Sequence, residues 1–250
     1  MVKFLDCTTR DGGHDTNWYF DKKFVEELIR CMINSQIEYC EIGYRNYKDK
    51  ENKGNFYYCT PEILKEIQTI KQNLQIGIMV DTSRYNEKDF PGAERDFADF
   101  IRIATHPDKI EKTLDIAYNL YQKGYKIFVQ LMEIPNVKEE HYNILKNWKY
   151  KNILESLYIA DSYSTVHPED IPIFFNKLKS IGYNTISFHA HDKHSLALQN
   201  TLKAIELGAY SVDVTLRGMG KNLDAAELFK NIDESNPKYY EELSYCKNCL

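Results

Sequence analysis

Apolar and polar positions along the chain fall into eight short apolar runs: 2–8 (VKFLDCT), 37–44 (IEYCEIGY), 76–81 (IGIMVD), 100–104 (FIRIA), 125–132 (YKIFVQLM), 156–160 (SLYIA), 185–189 (TISFH) and 211–216 (SVDVTL). Their length and β-branched content predict strands. Between them lie segments with a 3.6-residue apolar period at 21–34, 60–72, 107–123, 138–147, 168–180, 193–207 and 224–231, which predict helices. Thr60-Pro61, His106-Pro107 and His167-Pro168 mark helix starts, and Gly124 and Gly208 mark helix ends. The stretch 83–98 (SRYNEKDFPGAERDFA) is the least regular link. Eight alternating units in 250 residues predict one closed (β/α)8 barrel over 1–234, with a Tyr- and Lys-rich tail at 235–250 outside it. An open doubly wound sheet is the competing arrangement.

Composition narrows the function classes. Hydrophobic residues make up 43% of the chain, enough for a large core. Lys and Arg number 32 against 37 Asp and Glu, for a net charge of −5, and the lysines are scattered. Nothing therefore points to nucleic acid as a partner. No segment approaches the ~20 apolar residues of a membrane helix. MVKFLDCTT enters a strand at once, without signal-peptide anatomy, so the expected compartment is the cytoplasm. The six cysteines do not suggest a disulfide framework, and Cys246 and Cys249, a single CxxC, read as a reduced tail.

In a parallel barrel, chemistry gathers where strands end. The first strand runs into Arg10, Asp11, Gly12, Gly13 and His14, the second carries Glu41, the fifth ends in Gln130 and Glu133, and the seventh ends in His189-Ala190-His191. Alternate residues of a strand face the same way, so His189 and His191 both aim into the barrel mouth. Two imidazoles with the Asp11 carboxylate suit Mg, Mn, Co or Zn as a Lewis acid. Glu41, on the neighbouring strand, is placed to pair with Arg10, since an unpaired buried Glu is costly. The glycines read as turn chemistry. Cys7 reads as core packing within the first strand, and His194 as a surface residue of the following helix.

These residues resemble the DRE-TIM metallolyase superfamily, which includes hydroxymethylglutaryl-CoA lyase, the isopropylmalate and homocitrate synthases and 4-hydroxy-2-oxovalerate aldolase. LDCTTRDGGH is similar to its D-x-T-x-R-D-G signature, and the likeness continues through FIRIATHP (100–107), YIADSYSTVHPEDI (158–171) and FHAHDKHSLALQNTLKAIELGA (188–209). The resemblance implies Asp11, His189 and His191 as ligands of a divalent metal, Arg10 as stabiliser of an enolate oxygen and Glu41 as its partner. His14 implies the aldolase branch, in which this histidine is the base on the substrate hydroxyl. The activity implied is cleavage or formation of a 4-hydroxy-2-oxo acid through a metal-bound pyruvate-type enolate, with a small 2-oxo acid as substrate, no cofactor beyond the metal and, as members commonly pair, a homodimer. An acyl-CoA-condensing synthase and a degenerate barrel used as a binding module are the alternatives.

Departures from the family pattern also matter. The glycine-rich stretch after strand eight is shortened to RGMGKNLDAAEL (217–228), which leaves the role of Asn222 open. RGMG reads as a plain turn or as a binding loop for phosphate or carboxylate. The chain also ends before the region with which the pathway aldolase contacts a dehydrogenase, so aldehyde channelling is not implied.

Overall fold

Eight parallel strands close on themselves in chain order: β1 (Lys3–Asp6), β2 (Tyr39–Tyr44), β3 (Gln75–Asp81), β4 (Phe100–Thr105), β5 (Lys126–Leu131), β6 (Leu154–Asp161), β7 (Ile186–Ala190) and β8 (Ser211–Val214). The computed structural model describes residues 2–47 and 52–232. Closure is explicit in the register, where Asp6 of β1 lies opposite Cys40 of β2 on one side and Val214 of β8 on the other. The competing open sheet is thereby excluded. The predicted tail, with Cys246 and Cys249, lies outside the described residues.

The helices occupy the predicted segments, mostly with trimmed ends, the last running one residue further: Lys22–Asn34, Pro61–Gln68, Ile110–Gln122, Glu139–Asn147, Ile171–Ser180, Ala197–Glu206 and Ala225–Ile232. Local chemistry sets their ends. The Asp21 side chain accepts from the Lys23 and Phe24 amides at the first helix, and Gly124 and Gly208 adopt left-handed φ of 87° and 81° just past two others. After β3, Pro91 and Gly92 break the chain, and only a 3-10 turn (Glu87–Asp89) and a helical turn (Ala93–Asp96) form there. None of the described helices is long and apolar enough to cross a membrane.

Period-2 alternation divides each strand between two environments. Outward residues such as Ile76, Ile78, Ile101, Ile103, Ile127 and Val129 meet the helices in the main core. Inward residues stack in layers drawn from alternate strands. Leu5, Tyr39, Phe100 and Phe128 fill the lower barrel as an aromatic cluster. Above them lies a charged layer of Glu41, Arg102 and Asp213, with the Arg102 guanidinium 4.6 Å from the Tyr158 ring centre. One pleat higher, at the strand ends, come Met79, Gln130 and His189. The sequence therefore fills the lower barrel with rings, closes its bottom with the half-buried Lys3–Glu155 pair against Tyr39, and buries its fully enclosed charges in the upper half.

Candidate metal centre

β1 is shorter than the run 2–8. After Asp6 the chain turns at once into a helical turn, Thr8–Asp11, followed by a second, Gly13–Thr16. Arg10 and Asp11 therefore sit on a helical turn and not on an irregular bend. Gly12 has an ordinary helical φ of −63°, so conformational freedom does not explain it. Close approach does: a Cβ there would lie 2.4 Å from the Thr8 carbonyl oxygen, and one at Gly13 would lie 2.1 Å from the Trp18 ring. The loop after β8 presses on the same turn, and a Cβ on Gly220 (φ 72°) would meet the Asp11 backbone at 2.4 Å.

That turn carries Asp11 to the histidines of β7. His189 Nε2 lies 3.5 Å from Asp11 Oδ2, His191 Nε2 lies 4.0 Å from it, and the two imidazole nitrogens are 3.4 Å apart. Ala190, between them, is buried on the helix side, as alternation requires. Around an ion with bonds of about 2.1 Å, neighbouring donors stand about 3.0–3.4 Å apart, so the three atoms lie close to one coordination sphere. A fixed tautomer supports the fit. Asp213 Oδ2 is 2.7 Å from His189 Nδ1; with the proton on Nδ1, the Nε2 lone pair faces Asp11 and His191. Burial drives the His189 pKa well below 6.5, which keeps the ring neutral. Burial alone would raise Asp11, but the Arg10 guanidinium, helped by the Asn222 amide, holds its carboxyl below the usual range. A lone pair beside a carboxylate at this distance is repulsive unless a cation lies between them. The donor set thus suits a divalent ion with open positions.

Arg10 and Glu41 meet as expected, with Nε donating to Oε1 at 2.5 Å. Arg10 Nη1 also pairs with Asp11 Oδ1, while Nη2 is buried without a partner among the described residues. Two contributors, Arg102 and Asp213, escaped the reading of the strand ends, and the role of a third, Asn222, stays open there. Arg102 clasps Glu41 through Nε and Nη2, both at 2.6 Å, and reaches Asp213 through Nη1 at 2.5 Å. Asp213 in turn orients His189. Asn222, left open above, donates Nδ2 to Asp11 Oδ2 at 2.8 Å and sits opposite His191 in a short antiparallel bridge. The shortened loop therefore still delivers its asparagine to the site.

Two expectations need correction. Cys7 is buried, but it lies beyond the end of β1 and not within it, with Sγ 3.9 Å from Asp11 Oδ2 and 3.7 Å from Asn222 Nδ2. It also falls in a donor cluster with His189 and Asp213, although burial raises its thiol well above the usual range and keeps it protonated. His194 is exposed as expected, but in the turn before the helix Ala197–Glu206 and not within it. The four described cysteines, Cys7, Cys31, Cys40 and Cys59, are all free and buried.

Asp6 ties the site's two loops together and carries a consequence for stability. It accepts from the Thr8 amide at 2.8 Å and the Thr8 hydroxyl at 2.9 Å, and that hydroxyl accepts from the Leu216 amide at 2.9 Å. Burial outweighs these bonds and pushes the Asp6 pKa from 3.8 up to about 7. An acid raised by folding holds its proton longer in the native state, so stability falls as pH rises from about 4 to about 7 and is level above that. The loss is at most about 4 kcal/mol. Asp6→Asn should flatten that slope in urea midpoints measured across the same range; an unchanged slope would assign it to another group.

His14 stands exposed at the rim, its ring edge-to-face with Trp18 at 4.8 Å and 6.5 Å from Tyr44. Desolvation outweighs the pull of Asp11 and lowers its pKa below 6.5.

Known proteins resemble this chain in sequence and in fold. Residues 136–232 match the HMGL-like family model. The chain is 24% identical over 221 residues to an oxaloacetate decarboxylase of Mycobacterium tuberculosis, covering 87% of this chain and 65% of that protein. It is 26% identical over 225 residues to a 4-hydroxy-2-oxovalerate aldolase of Carboxydothermus hydrogenoformans, covering 88% and 66%. The chain thus spans just under two thirds of these curated relatives. The crystal structure of the N-terminal domain of a putative aldolase from Bacteroides vulgatus superposes with a TM-score of 0.89 at 27% identity, covering all of this chain and 87% of that one. With its barrel closed, its donors at the β7 rim and these relatives beside it, the chain is similar to the HMGL-like proteins, in family pattern over residues 136–232 and in fold over its whole length.

Proposed function

We propose that this chain is a divalent-metal-dependent carbon–carbon lyase that cleaves, or in reverse forms, a 4-hydroxy-2-oxo acid. The observation that carries the reading is the convergence of Asp11, His189 and His191 beside an arginine with a free donor. The ion, Mn, Mg, Co or Zn on this donor set, supplies Lewis-acid charge for the oxygens of the substrate. Glu41 fixes the Arg10 rotamer, and the unpartnered Nη2 is available to the oxygen on which charge develops as the C3–C4 bond breaks. His14, neutral and at the rim, takes the proton of the 4-hydroxyl, and the electron pair left on that oxygen forms the aldehyde carbonyl. Every residue in this account comes from one chain, so a homodimer is compatible with it but not required. The expected setting is cytoplasmic.

Two measurements separate this reading from its neighbours. Incubation with a panel of 4-hydroxy-2-oxo acids should release pyruvate or a related oxo acid, whereas free coenzyme A in a thiol-release assay would indicate the acyl-CoA-condensing alternative. The M. tuberculosis relative motivates a second reaction, loss of carbon dioxide from oxaloacetate, which has no hydroxyl proton to remove. Replacing His14 with glutamine should therefore suppress aldol cleavage far more than any decarboxylation.

The basic form of His14 is the active one, so kcat/KM for cleavage should rise with pH through a midpoint below 6.5 and then level off. A midpoint above 6.5 would mean that another group limits the reaction on the acid side.

A further inference from the structure

We propose that Gln130 is a specificity-determining residue, whose carboxamide donates to the carboxylate of the 2-oxo acid. The inference rests on the function proposed above and adds the group that reads the acid end of the substrate. Gln130 points into the barrel one pleat above Phe128 of the interior cluster, on β5, across the barrel from β1. It is only 4% exposed, and its Oε1 is buried without a hydrogen-bond partner among the described residues. Among the described residues no hydrogen bond holds the amide oxygen, and Gln χ3 turns over a broad, roughly two-fold range, so the NH2 group can turn to face a ligand.

The charges around it explain why a carboxylate falls to an amide. Arg10 is engaged by Asp11 and Glu41, and Arg102 by Glu41 and Asp213. The inward faces of β1 and β5 also carry Lys3 and Lys126, but below the ring cluster at the other end of the barrel; among the described inward-facing strand residues above that cluster, Arg102 is the only cation. Of the buried inward residues near the upper ends of β3 to β6, namely Met79, Ala104, Gln130 and Ala160, Gln130 alone has a side chain that donates hydrogen bonds; the Tyr44 hydroxyl lies on β2, beside Arg10 and His14. With Arg10 Nη2 turned to the oxo group beside β1, the acid end is directed to this opposite wall.

The test is calorimetric titration of the Mn-loaded protein with pyruvate and with methyl pyruvate, its uncharged ester. Wild type should bind pyruvate at least about tenfold more tightly than the ester. Gln130→Met, which keeps the volume, should lose that preference. Gln130→Glu keeps an acceptor but opposes a carboxylate; it should weaken pyruvate by more than about tenfold and leave the ester unchanged. Thermal melts confirm that each variant folds, with the near-isosteric Met variant carrying the test if the Glu variant does not. Variants that retain the wild-type preference, or that lose both probes equally, overturn the role of Gln130 alone. Wild type that binds neither probe overturns the 2-oxo acid reading as well.

Discussion

Alanine at His189 or at His191 is expected to abolish stoichiometric divalent-ion binding and to lower kcat/KM for cleavage by about a thousandfold or more, since Lewis-acid charge in such a site is worth several kcal/mol. The two positions differ in a way that separates chemistry from folding. His189 is fully buried and bonded to Asp213, so its removal also leaves a cavity and costs stability, on the order of 2–3 kcal/mol. The His191 side chain is 26% exposed, and its loss should cost little stability. If activity and metal content fall equally in both while only one variant melts early, the histidines act as ligands. If His191→Ala retains its ion and its rate, the triad is not the metal site.

The second large effect lies a layer below. Replacing Arg102 with methionine should cost about 3–5 kcal/mol, because it removes a cation that two fully buried carboxylates share. Urea unfolding measures this directly. The sign of its pH dependence is fixed in advance. Burial already lifts the Asp213 carboxyl above its usual range, with Arg102 as the main opposing charge. Without that charge its pKa rises further, so the variant's deficit should grow as pH rises and shrink as the acids are protonated. The same change should weaken metal binding by roughly 10–100-fold, since Asp213 would no longer be held to orient His189. A variant as stable as wild type at neutral pH would show that the charged layer is not a shared network.

Much of this molecule was legible in the sequence, for a physical reason. Outward strand residues meet helices and are apolar, so the eight strands announce themselves. The irregular link at 83–98 also read correctly, because Pro91 and Gly92 punctuate it. The alternation in HAH was enough to place both imidazoles on one face, and the expected pairing of Glu41 with Arg10 follows from the cost of burying a lone carboxylate. Arg102 and Asp213 were harder. Each interrupts an apolar run, FIRIA and SVDVTL, and that interruption was the available signal. Only barrel closure shows that the interrupting residues point into one lumen and meet there. Cys7 was misplaced because an apolar run does not reveal where a strand yields to a helical turn. Gly12 and Gly13 were assigned to turn geometry, whereas their role is to let Trp18 and Met219 pack against the backbone.

The most direct test of the central claim is a titration of metal-stripped protein with Mn, following bound ion and pyruvate release from a 4-hydroxy-2-oxo acid on the same samples. The account predicts that both saturate together at one ion per chain, that a chelator removes both, and that re-addition restores both. Stoichiometric binding without pyruvate release, or pyruvate release that persists after chelation, would contradict it.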